Sequence, residues 1–98
     1  MWIETACEAL RRRKVLELSY GGFSRSIEVH AVGWTKLGHA VLRGWQVSGG
    51  AGRGEKLGWK LLVLDEASAA QLSPDGSSAP RPGYKRGDTA MVRIVGEV

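Results

Sequence analysis

Cysteine is almost missing from this chain of 98 residues: Cys7 stands alone. No intrachain disulfide can form, and a reducing, cytoplasmic setting is the simplest reading. No apolar run approaches the ~20 residues that a membrane-crossing helix needs, and the N-terminus lacks the basic-then-apolar layout of a secretory signal. No membrane partner is therefore expected. Histidine is scarce as well: Cys7, His30 and His39 match no metal-ligand spacing, no CxxC pair exists, and neither a metal nor a cofactor is implied. Glu28 and His30 have the spacing of a general base with its orienting carboxylate. No serine or cysteine stands at nucleophile spacing beside them, so catalysis is not expected and His30 reads first as a structural histidine.

What is present is enough for one domain spanning residues 1–98. Apolar residues make up 43% of the chain, an ordinary share for a globular protein, and a chain of this length builds one compact core. Net charge is +4, but its distribution matters more. Between Arg11 and Leu64 lie ten basic residues against three acidic ones, Glu17, Glu28 and Glu55. A field of that kind favours anionic partners such as nucleic acid or phosphorylated ligands.

Residues 3–14 place Ile3, Cys7, Leu10 and Lys14 on one helical face. Thr5 and Glu8 have capping-box spacing, so the regular helix is expected from Ala6. Arg11, Arg12, Arg13 and Lys14 fall in its last turn, where positive charge complements the carbonyl end of the dipole. From Val15 to Trp34 two alternating runs flank Gly21-Gly22, a β-hairpin signature. Leu16, Leu18 and Tyr20 share one face of the first strand. Ile27, Val29 and Ala31 share one face of the second, with Glu28, His30, Val32 and Trp34 on the other.

Lys36-Leu37-Gly38 predicts a turn into a third strand, His39 to Val47, on which Gly44 marks a bulge or a close backbone approach. The glycine-rich Ser48 to Gly58 lacks the Gly-Lys-Ser/Thr ending of a phosphate loop and reads as a flexible hairpin loop. The fourth strand, Trp59 to Asp65, carries an apolar run whose two faces are expected to be covered, one by the barrel interior and one by the helix. Asp65 to Ser73 fits a short helical turn before Pro74 and Gly76. Residues 65–88 form a turn-rich connector holding all three prolines, a length that implies function, disorder or packing across the surface. Strands are thus expected over 15–64 and 89–98, the last closing the sheet or pairing with another chain.

Arg25, Arg43 and Lys60 on adjacent strands would contact phosphate, with Tyr20, Trp34, Trp45 or Trp59 as stacking faces for bases. In unbulged strands Arg25 and His30 point to opposite faces, so a shared pocket needs a bulge between them.

The order ALRRRKVLELSY, RSIEVH, VLRGWQV, GWKLLVLDEA and RPGYKRGDTAMVRIVGEV resembles the WYL domain over nearly the whole chain. The resemblance implies a mainly β, small Sm-like (SH3-like) bent five-stranded barrel with an N-terminal α-helix, of the kind used as ligand- or nucleic-acid-sensing modules in bacterial transcription regulators. It also places Tyr20, Arg25 and His30 where the family lines a basic ligand site. Ala40-Val41-Leu42 stands in place of Trp-Tyr-Leu, Glu66 in place of a family arginine, and Val29 in place of a proline. The expected ligand site comprises Tyr20, Arg25, His30, Arg43, Trp45 and Lys60. It would bind single-stranded nucleic acid or a nucleotide-like anion without catalysing a reaction. The alternative is a protein-interaction module that oligomerises through a strand edge or its helix face and serves as adaptor for a separate DNA-binding regulator.

Overall fold

A computed structural model describes residues 2–50 and 57–98; the loop expected from Ser48 to Gly58 falls mostly outside them. The chain opens with helix α1 (Trp2–Arg12) and continues through strands β1 (Lys14–Tyr20), β2 (Phe23–Trp34), β3 (Ala40–Gly49) and β4 (Gly58–Val63). A single 3-10 turn (Leu64–Glu66) leads into β5 (Ala67–Gly76), and β6 (Arg93–Glu97) ends the fold. The helix begins at Trp2, whose indole Nε1 donates to the Ala67 carbonyl at 2.9 Å, and not at the expected Ala6. It stops where Arg13 takes a left-handed φ of 53°. Arg11 and Arg12 both pair with Glu8 one turn back.

The sheet is antiparallel, in the order β4-β3-β2-β1-β5, with β6 beside the second half of β2. Gly21 and Gly22 both have positive φ, 62° and 82°, which lets the expected hairpin turn in two residues and set Tyr20 opposite Phe23 and Leu16 opposite Ile27. Among the described residues β4 and β5 form no ladder with each other, so hydrogen bonding does not close the sheet. Among the described residues β6 pairs with β2 alone.

Two expectations are corrected. The segment read as a short helical turn and connector, from Ala67 to Gly76, is strand β5, paired with β1 from Tyr20–Ala67 to Lys14–Gly76. The helix lies on β1, β2 and β5, and Leu61 of β4, expected to be covered, is 39% exposed.

The main core packs Leu16, Leu18, Ile27, Val29, Val32, Leu42, Leu62 and Leu64 beneath Ala6 and Ala9 of the helix. A second, smaller cluster of Ala31, Val41 and Met91 lies apart from it. The two lie on opposite faces of the sheet, as adjacent Val41 and Leu42 of β3 show by joining different clusters. Val29 pairs with Gly44 and Ala31 with Arg43, so His30 is an extra residue, a bulge, in β2. The bulge shifts the alternation: Val32 and Trp34 join the main core, whereas Ala31 leaves it. Gly44 answers it from β3. A Cβ there would collide with Ile27 and stand 2.9 Å from the Glu28 carbonyl, which is the expected close approach.

Candidate ligand site beneath the strap

Residues 77–92 run across the sheet face opposite the helix, and we call them the strap. Alternation puts Glu28 and His30 of β2, Arg43 and Trp45 of β3 and Trp59 of β4 on that face. Three side chains of β2 and β3 anchor the strap, whose ends are also held by the Ser77 N–H donating to the Arg13 carbonyl and the Val92 N–H to the Trp34 carbonyl, each at 2.9 Å. Glu28, buried, accepts from the Ser78 N–H and from Arg81 Nε, both at 2.6 Å. His30, fully buried, accepts the Arg81 N–H on Nε2 at 2.9 Å. Its proton therefore sits on Nδ1 and is donated to the Glu28 carbonyl, also at 2.9 Å. At the far end Arg43 donates from Nε to Asp88 Oδ2 at 2.7 Å and from Nη2 to Oδ1 at 3.3 Å.

These contacts set the charge states. Burial pushes His30 below its ordinary 6.5, against the opposing pull of Glu28. Burial pushes Glu28 up, but the hydrogen bonds from Arg81 and Ser78 outweigh it and hold the carboxyl below its usual range. The Arg43 hydrogen bond holds Asp88 down in the same way. At neutral pH the anchors are two carboxylates, two guanidiniums and a neutral imidazole.

Aromatic rings fill the space between the anchors. The His30 ring meets Trp59 edge-on at 4.7 Å and Tyr84 at 5.0 Å. Trp45 meets Trp59 edge-on at 5.2 Å, with Arg81 over its ring. Trp59 and Tyr84 lie 29° from parallel, and the Tyr84 hydroxyl donates to the His30 carbonyl at 3.2 Å. Beside them opens a cavity of 470 Å³ lined by Arg43, Trp59, Gly83 to Asp88 and Thr89. Arg43 is paired with Asp88 and Arg86 with Glu97, the latter at 3.2 Å. Lys85 is exposed. With three cations against one carboxylate on its wall, the cavity carries a net positive charge.

The six residues expected to share a site fall into two groups. His30, Arg43 and Trp45 lie on the strap side. Tyr20, Arg25 and Lys60 lie on the side of the main core: Tyr20 packs against it, Arg25 shares a face with Ile27, opposite Leu18, and Lys60 pairs with Gly44 and shares a face with Leu62. Arg25 is buried, its Nε donating to the Tyr20 carbonyl at 3.1 Å and its guanidinium lying over the Tyr20 and Phe23 rings. The Tyr20 hydroxyl donates to Glu66 and receives the Val63 N–H, each at 3.3 Å. The bulge at His30 does not bring it to Arg25, because His30 still turns to the strap side. The cavity residues Tyr84, Lys85 and Arg86 were not singled out as a site from the sequence. Their signal was a tyrosine between basic residues, Arg81 before it and Lys85-Arg86 after it, in a connector too long for a plain turn.

Among the described residues no helix is long and apolar enough to cross a membrane, and no group of three or more His, Cys, Asp or Glu side chains is placed to hold a metal ion. Comparison with known proteins adds no relative: no family model, no curated protein and no solved structure matches the chain.

Proposed function

We propose that this chain is a non-catalytic sensing module of the WYL type, built as an Sm-like barrel, that captures a phosphate-bearing ligand or a short single strand in the cavity beside the strap. The strand order β4-β3-β2-β1-β5, with a 3-10 turn before β5, supports the barrel reading. The observation that carries the binding reading is the pairing of an aromatic wall, Trp59 and Tyr84, with Lys85, Arg86 and Arg43 around one open cavity. Aromatic faces stack on bases, and lysine and arginine neutralise phosphate. Lys85 and Arg86 are the residues to test, because Arg43 is needed to hold the strap.

Tryptophan fluorescence is followed while a short oligothymidylate is added, at low and then at moderate salt. Saturable quenching is expected from a base stacked on Trp59. The paired change Lys85→Ala with Arg86→Ala should weaken binding and lower the salt slope by about one for each phosphate contact removed. A flat titration at low salt would sink this reading. A second reading, association through a strand edge, is favoured by β6, which carries exposed Val95 and follows exposed Val92. It would be indicated by an elution volume that moves with protein concentration and is indifferent to salt.

A further inference from the structure

We propose that the strap and the cavity it walls are gated by protonation of His30: the neutral imidazole holds the strap shut over the sheet, and the imidazolium releases it. The consequence for ligand capture rests on the binding reading above; the movement of the strap does not.

The argument is one of donors and acceptors. His30 is fully buried, and both ring nitrogens are used. Nδ1–H can go on donating to the Glu28 carbonyl in either charge state. Nε2 cannot: it accepts the Arg81 N–H only while it is unprotonated, and a proton there sets two donors against each other. An added charge also meets its surroundings from every packed element. From β2 comes Glu28, the one anion close by, already engaged by Ser78 and Arg81. From the strap come the Arg81 guanidinium, which repels it, and the neutral Tyr84 ring. From β4 comes the uncharged Trp59 edge. On β3, Trp45 is uncharged, and Arg43 is occupied by Asp88.

A buried imidazolium with one new unmatched donor is relieved most simply by detaching the residues that crowd it, Arg81 and Tyr84. Both belong to the strap, and Tyr84 is also a wall of the cavity. Release therefore dismantles the aromatic wall while leaving the β1–β2 hairpin untouched. The expected sign is the opposite of simple electrostatics. An acidifying solution makes any protein more positive and ordinarily tightens its hold on an anion. Here affinity should fall with pH, because the binding-competent fraction falls.

The test uses the unaltered chain. Nuclear magnetic resonance follows the His30 ring and the backbone amides from pH 7.5 to pH 5, while oligothymidylate affinity is measured at each pH. Expected is a His30 transition below 6.5, with the Arg81 and Tyr84 amides losing exchange protection by up to about tenfold per pH unit between 6.5 and that transition and the Leu16 and Ile27 amides unchanged. Affinity should weaken in parallel, and His30→Gln, which cannot titrate, should flatten both responses. The proposal is overturned if the strap amides stay protected once His30 is charged, if His30 fails to titrate before the whole fold unfolds, or if affinity rises as pH falls. Should the glutamine variant fail to fold, the spectra of the unaltered chain decide alone. An absence of oligothymidylate binding at pH 7.5 sinks the binding reading, and the exchange data still decide the gate.

Discussion

Gly44 sits at a close approach of β2 and β3, opposite Val29 and beside the His30 bulge. A methyl group there would run into Ile27, with the Glu28 carbonyl at 2.9 Å and a Leu42 methyl at 3.1 Å. Only part of that contact is a flexible side chain, so the backbone must give. Gly44→Ala should destabilise the fold by about 1–3 kcal/mol, the usual cost of overpacking a well-filled site. Urea unfolding reads this as a lower midpoint at unchanged slope. An unchanged midpoint would mean that the strands do not approach as closely as described. His30 belongs to the same scale. Its burial and its two hydrogen bonds, from Nδ1 to the Glu28 carbonyl and from the Arg81 N–H to Nε2, make this imidazole an anchor of the strap.

At the scale of elements, the strap has little regular structure, and its few anchors must do what a ladder does for a strand. Asp88 joins two of its contacts: it takes Arg43 across to β3, and its Oδ1 also accepts the Ala90 N–H at 2.9 Å. Asp88→Asn keeps the shape and removes the charge. The change should cost about 1–3 kcal/mol, the range for a hydrogen bond to a charged group or a buried donor left unmatched. The loss should be local, so trypsin should cut after Lys85 and Arg86 faster in the variant, with the β1–β2 hairpin still resistant. Equal cutting rates in the two proteins would show that this ion pair does not hold the strap. β5 makes a complementary point. Ala67 to Gly76 is poor in β-branched residues and holds a proline, yet it is extended because β1 offers an unpaired edge along its length.

Across the whole molecule, the same buried groups shape stability against pH. His30 is lowered on folding from 6.5, so the unfolded chain binds the proton more readily. Its contribution is complete above 6.5 and is lost as pH falls through the folded value. Glu28 and Asp88 are lowered from 4.5 and 3.8. Their contributions are present above those values and are lost as pH falls further. Thermal melts between pH 7.5 and pH 2.5 should therefore show a falling Tm in two stages, the first removed by His30→Gln and the second reduced by Asp88→Asn. A Tm that is level from pH 7 down to pH 5 would contradict the first stage.

The sequence alone determined what is local. The Gly21-Gly22 hairpin, the amphipathic helix, the close approach at Gly44 and the mainly β character follow from alternation, helical spacing and glycine's tolerance of positive φ, each written into a few neighbouring residues. Tertiary structure decided whatever depended on partners distant in sequence. Alternation could not reveal the extra residue at His30, which moved Ala31 out of the main core and Val32 into it. The alanine-rich run before Pro74 has a weak preference of its own and took the conformation its neighbour required. The six candidate site residues were divided between two faces because their side-chain directions depend on bulges and on which face the strap covers. His30 and Arg43 were expected in a ligand site, and Glu28 only stood at orienting spacing from His30. All three are anchors of the strap: burial leaves Glu28 and His30 no water, Arg43 is paired with Asp88, and the strap, some 50 residues away along the chain, supplies the partners.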